Sequence, residues 1–206
     1  MREKKFTQTL TEIETKLDYF VGDFAEYLEG TRVFLLLQRG KEGGHQNSEH
    51  KRRALRLVTH TPDSAKRALR MMLTLQATTH PDHRVYMSVN PRSIKNAEHV
   101  FKRDMLEVDF ESGENKQYFF ERLEDRWISA MMKAKPPKWT MRFIIDVDQK
   151  DDAEALSVCH ERGIHIFTKY PTKQGWHLIT EPFNIDWMPE SAGSVHRDGL
   201  LLVSWI

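Results

Sequence analysis

Cysteine is almost absent: Cys159 is the sole one in 206 residues. That excludes an internal disulfide and any zinc knuckle built on paired cysteines, and it suits a reducing cytoplasm. An excess of charge of one sign is missing too. With 31 Lys and Arg against 30 Asp and Glu the formal net charge is +1, so affinity for a polyanion has to come from a local patch. No stretch nears the roughly 20 apolar residues that span a bilayer. The start, Met1-Arg2-Glu3-Lys4-Lys5, leads into mixed polar sequence without the apolar run of a signal peptide. Internal repeats, low-complexity tracts and flexible linkers are also lacking. What is left, 39% hydrophobic and 30% charged, is a globular balance, which predicts a soluble, cytoplasmic protein with one core-bearing domain over 1–206.

The apolar pattern alternates between helical and strand periods. Leu10, Ile13, Leu17, Phe20, Val21, Phe24 and Leu28 predict an amphipathic helix within 1–30, stopped near Gly30. Strands are expected at 32–38, 54–60 and 84–89, with a helix begun by Thr61-Pro62-Asp63-Ser64 between the last two. Residues 93–137 read as a charged helical insertion, interrupted at 111–115 and closed by Pro136-Pro137. A strand at 140–148, a helix near 151–162, a hairpin over 164–181 and a last strand at 200–206 make 140–206 the motif-bearing part. The order predicts an α/β fold, a mixed sheet with helices packed on it in the ferredoxin or RRM manner.

The motif with most chemical content is Asp146-Val147-Asp148, closing the apolar run Met141–Ile145. Residues two apart on a strand share a face, so both carboxylates project together and repel unless a cation sits between them. Mg²⁺ or Mn²⁺, held by one or two carboxylates with water and substrate phosphates, is the natural counter-ion. The ordinary alternative is a pair of solvated turn acids. Asp151 and Asp152 read as caps of the next helix. His177 follows in Thr172-Lys173-Gln174-Gly175-Trp176-His177, where Lys173, Gln174 and Gly175 form a short turn whose backbone N–H groups could meet phosphate oxygens, Gly175 permitting close approach. A lone histidine among apolar neighbours is more often a core residue. Arg92, in Asn90-Pro91-Arg92, is a candidate phosphate fork, although the proline alone explains a strand end. Lys41, Lys51, Arg52 and Arg53 lie on a basic, Gly-containing loop suited to a nucleic-acid backbone or simply to solvent. His45, His50 and His60 lack helical zinc spacing.

Taken together, Tyr86-Met87-Ser88-Val89-Asn90-Pro91-Arg92, the strand ending in Asp146-Val147-Asp148 and the hairpin through His177 resemble the archaeo-eukaryotic primase superfamily. This family includes primases, primase-polymerases and the polymerase domains of end-joining ligases. The resemblance covers about 84–92 and 140–206 and implies a minimal, stand-alone member, of a size that suits a phage or mobile element. It implies Asp146 and Asp148 as ligands of Mg²⁺ or Mn²⁺ and His177 as a contact to a nucleoside triphosphate, with Arg92, Lys173 and Gly175 beside it. A third metal-ligating acid is expected after a hydrophobic residue. Asp198, preceding the last strand, is preferred over Asp186, and Thr172 is the nearest match to a small hydroxyl residue of the hairpin. The implied activity is nucleotidyl transfer on a DNA or RNA template. Two other readings stay open: a catalytically degenerate relative that binds nucleic acid or a replication partner, and a metal-dependent nuclease or phosphohydrolase.

Overall fold

The computed structural model describes residues 30–38, 53–80, 83–107, 113–137, 141–172 and 174–204. The expected helix within 1–30 and the loop residues Lys41, Lys51 and Arg52 lie outside these, as does Lys173. In chain order the elements are β1 (Arg32–Gln38), β2 (Arg53–Thr59), α1 (Pro62–Thr78), β3 (His83–Ser88), α2 (Ile94–Leu106), α3 (Gly113–Glu121) and α4 (Leu123–Lys133). Then come β4 (Phe143–Val147), α5 (Ala153–Glu161), β5 (Ile166–Pro171), β6 (Trp176–Thr180), β7 (Ser194–His196) and β8 (Leu200–Ser204).

The α/β class is as expected, but the strands form two antiparallel four-stranded sheets, β2-β1-β3-β8 and β5-β6-β4-β7. β1 lies inside the first sheet with both faces covered, which is why it is a continuous apolar run. Its Phe34 and Leu36 pack on Leu69 and Met72 of α1, whereas Val33 and Leu35 pack on Ala97 of α2 and on Ile128 and Met131 of α4. Helix α1 starts where its sequence says it should. The Thr61 hydroxyl accepts from the Ser64 N–H at 3.2 Å, the Ser64 hydroxyl accepts from the Thr61 N–H at 3.1 Å, and Pro62 opens the first turn.

The second sheet divides its residues by parity. Ile145, Val147 and Leu178 turn to α5, where they meet Ala155 and Cys159. Ile144, Ile179 and Tyr170 join the core around α1, so one apolar cluster spans both sheets. Polar ties reinforce that junction. The Tyr170 hydroxyl donates to the Val203 carbonyl at 2.5 Å. Asn90, fully buried just past β3, donates to the Arg142 carbonyl at 3.0 Å and accepts the Arg142 N–H at 2.6 Å. One side-chain amide thus acts as a strand partner for the residue that leads into β4.

Candidate functional site

Asp146 and His177 stand directly opposite each other on β4 and β6. Side chains of a cross-strand pair meet on one face of the sheet. Here His177 Nε2 lies 3.3 Å from Asp146 Oδ1, with the histidine side chain 9% exposed and the aspartate 31%. His177 Nδ1 is buried without a hydrogen-bond partner among the described residues. Asp148, exposed one residue past β4, borders the same cavity of about 230 Å³, together with Thr172, Gln174 and His196 from the second sheet and its turn. Arg84 and Tyr86 of β3 and Leu200 and Leu202 of β8 supply the wall from the first sheet. The acids therefore open into a cleft between the two sheets.

The turn joining β5 to β6 lies beside the backbone that flanks Asp148. It closes on itself: the Thr172 N–H donates to the Gly175 carbonyl at 2.8 Å, and the Thr172 hydroxyl accepts the Gly175 N–H at 3.0 Å. The turn then lies flat against the segment leaving β4. The Trp176 indole donates to the Lys150 carbonyl at 3.0 Å. Lys169 sits 3.9 Å over the Trp176 ring and 2.6 Å from an Asp152 carboxylate oxygen. Asp152 holds the N-cap position of α5 without a side-chain hydrogen bond there, and Asp151 before it accepts the Ala153 N–H at 3.0 Å. The glycine in this turn serves the protein itself. A Cβ on Gly175 would sit 1.9 Å from the Val147 carbonyl oxygen and 2.6 Å from that of Gln149. The close approach read from the sequence as one to phosphate is an approach to the backbone on both sides of Asp148.

Two expected site residues are engaged elsewhere. The Arg92 guanidinium, 1% exposed, pairs with Asp198 at 2.5 Å and donates to the Ala134 carbonyl at 3.3 Å. Asn90 donates to the other Asp198 oxygen at 3.2 Å. Neither Arg92 nor Asp198 borders the cavity. The reason is topological. Asp198 could face the site only with the last strand beside β4, but β8 pairs with β3, and β4 lies between β6 and the three-residue β7. Asp198 thus sits in the connection that carries the chain from one sheet to the other. Asp186 is exposed in a short 3-10 turn, beside Met188, which packs with α5 on the sheet face turned away from the cavity. Arg92→Met is accordingly expected to cost about 2–3 kcal/mol of stability, since one buried charge and its hydrogen bonds are lost while Asp198 stays partly solvated. Denaturant unfolding, with Mn²⁺ binding measured in parallel and expected unchanged, checks this; full stability with lost nucleotide affinity would restore the phosphate-fork role.

Sequence reasoning missed Arg84, Tyr86 and His196 as cavity residues, whereas Gln174 lies in the turn it singled out. The signal for the first two was present: Arg84 and Tyr86 are two apart on a strand, hence on one face, and a charged residue in a buried strand calls for a partner. His196 carried no such signal, because β7 is too short to show a period. Lys41, Lys51, Arg52 and Lys173 lie outside the described residues, and Arg53 opens β2.

Among the described residues no group of three or more His, Cys, Asp or Glu side chains is placed to hold a metal ion. The two carboxylates on one mouth instead fit the sparse mode of a hard cation, which takes one or two protein oxygens and completes its shell with water and substrate. Burial raises the Cys159 thiol above its ordinary value, so it offers no thiolate at neutral pH. Among the described residues no helix is long and apolar enough to cross a membrane. Comparisons with protein-family models, with curated proteins and with solved structures find no match.

Proposed function

We propose that the chain is a metal-dependent nucleotidyltransferase of the primase-polymerase type, joining nucleotides on a DNA or RNA template in the cytoplasm. The observation that carries this reading is the convergence of Asp146, Asp148 and His177 on one inter-sheet cavity. A divalent ion bound there would lower the pKa of an attacking hydroxyl and neutralise charge on the leaving pyrophosphate. The chain's own part is placement. Asp146 and Asp148 offer oxygens to the cation, and the β6 backbone fixes His177 against Asp146 so that its ring borders the space for phosphate. The attacking hydroxyl oxygen bonds to the α-phosphorus, the bond to pyrophosphate breaks, and the proton passes to solvent. Positioning and charge neutralisation carry most of such a reaction.

Calorimetric titration of nucleoside triphosphate into the wild-type chain, with and without Mn²⁺, tests the reading. Binding that requires the metal is expected. Its absence overturns the assignment and leaves the degenerate relative, a reading favoured by one observation: the ion pair with Arg92 takes Asp198 out of the site. Degradation of nucleic acid with no nucleotide present would point to hydrolysis instead.

A further inference from the structure

The chain passes between its two sheets twice, from β3 to β4 and from β7 back to β8, and both passages meet at one side chain. Asn90, fully buried, follows the end of β3. Its amide oxygen accepts the Arg142 N–H at 2.6 Å, and its amide nitrogen lies 3.0 Å from the carbonyl oxygen of the same residue, just before β4. That nitrogen also lies 3.2 Å from an Asp198 carboxylate oxygen and 3.4 Å from the Arg197 carbonyl oxygen, between β7 and β8. Asn90 and Arg142 are 52 residues apart, with the whole helical insertion between them. The side chain therefore closes directly what the covalent path joins only by a long detour.

Most of the joint between the sheets is apolar. Ile144, Ile179 and Tyr170 of the second sheet share one cluster with Leu201 and Val203 of the first. Burial of this kind is non-directional and tolerates sliding, whereas hydrogen bonds to both the N–H and the carbonyl of one residue do not. The Tyr170–Val203 bond adds a single directional contact between β5 and β8. Sliding matters because the cavity takes Asp146, His177 and His196 from one sheet and Tyr86, Leu200 and Leu202 from the other. Arg197 and Asp198 lie between His196 and Gly199, two residues of its lining. A substrate that fills this space touches both walls.

We propose that Asn90 is a positioning residue, which sets the alignment of the two cavity walls for the reaction. Its effect on turnover rests on the nucleotidyl transfer proposed above. Arg92 shares Asp198 with it but bonds to Ala134, past the end of α4, and not to Arg142. It thus provides a control in which stability is lost and the bonds of Asn90 to Arg142 are kept. The two carboxylates stand on β4 and on the residue after it, so they move together and keep their spacing.

The test compares Asn90→Ser, whose side chain is too short to span to Arg142, with Arg92→Met in the full chain. Spin labels at Lys66→Cys on α1 and Ser157→Cys on α5, both exposed positions, report the distance between the helices packed on the two sheets. The distance distribution should broaden or shift in Asn90→Ser and stay as in wild type in Arg92→Met. Nucleotide incorporation, measured well below the melting range, should fall about 30-fold or more in Asn90→Ser and stay within about threefold in Arg92→Met, as a misplacement near 1 Å requires. Mn²⁺ affinity, followed by electron paramagnetic resonance, should stay within about twofold in both. If Asn90→Ser does not fold, Asn90→Asp carries the test: it keeps the acceptor for the Arg142 N–H, loses the donor to its carbonyl, and should cost about fivefold in turnover. A wild-type distance distribution in the Asn90 variant overturns the alignment. So does an equal loss of turnover in the Asn90 and Arg92 variants, which would mark a contribution to stability alone. A wild-type chain without metal-dependent incorporation overturns the underlying reading, and the distance measurement still decides whether Asn90 aligns the walls.

Discussion

Asp146→Asn and Asp148→Asn, made singly, are expected to lower metal-dependent nucleotide incorporation by about 10³-fold or more while leaving the fold in place. Each change keeps the side-chain shape and removes the charge that a divalent cation needs. Stability should change little, because both residues border a cavity and not a packed core. The sign of the small change is informative. Asp148 is exposed, so neutralising it should leave the melting temperature unchanged in the absence of metal, whereas Asp146→Asn also gives up the charge beside His177 Nε2 and should lower it slightly. With Mn²⁺ added, wild type should gain stability by mass action and the variants should not. Primer extension, thermal melts with and without Mn²⁺, and circular dichroism check the three parts. A variant retaining more than about a tenth of the wild-type rate would remove its carboxylate from the reacting centre.

Much of the local structure was legible because it depends on neighbours in the chain. The alternation at 84–89, the apolar run at 32–38 and the Thr61 cap each name an element that forms at or within a residue or two of the expected place. The aspartate pair was legible for the same reason, since two residues at a strand's end share a face wherever that strand goes. Strand pairing was not. Apolar periodicity says that a segment is a strand and which side is buried, but not which strand lies beside it. The single mixed sheet therefore became two, and the assignment of Asp198 went with it. Asn90 and Arg92 show the limit most sharply. A polar pair around a proline looks like a phosphate contact or a strand end, and its use as a buried tie depends on Arg142 and Asp198, 52 and 106 residues away. Gly175 was read as permitting a close approach, and the neighbour that needs it is the backbone on either side of Asp148.

That neighbour sets the second large effect. Gly175→Ala places a methyl group 1.9 Å from the Val147 carbonyl oxygen and 2.9 Å from the Gln149 nitrogen, backbone atoms that no rotamer change can move aside. Either the turn at 172–175 lifts from the segment leaving β4 or that segment shifts. Lifting strains the Trp176–Lys150 hydrogen bond and the Lys169 contacts to Trp176 and Asp152. Shifting moves Asp148, which lies between the two crowded residues. A loss of about 3 kcal/mol or more is expected, at the upper end for overpacking. For a chain of this length that lowers the melting temperature by roughly 6–12 °C. Because the strain falls on both sides of Asp148, Mn²⁺ affinity should drop even under conditions where the variant is fully folded. Calorimetric melting and Mn²⁺ titration at low temperature separate the two consequences. A variant that melts with wild type would mean the turn does not pack on β4 as described. One that melts early but binds Mn²⁺ normally would show that the turn supports the fold without aiming Asp148.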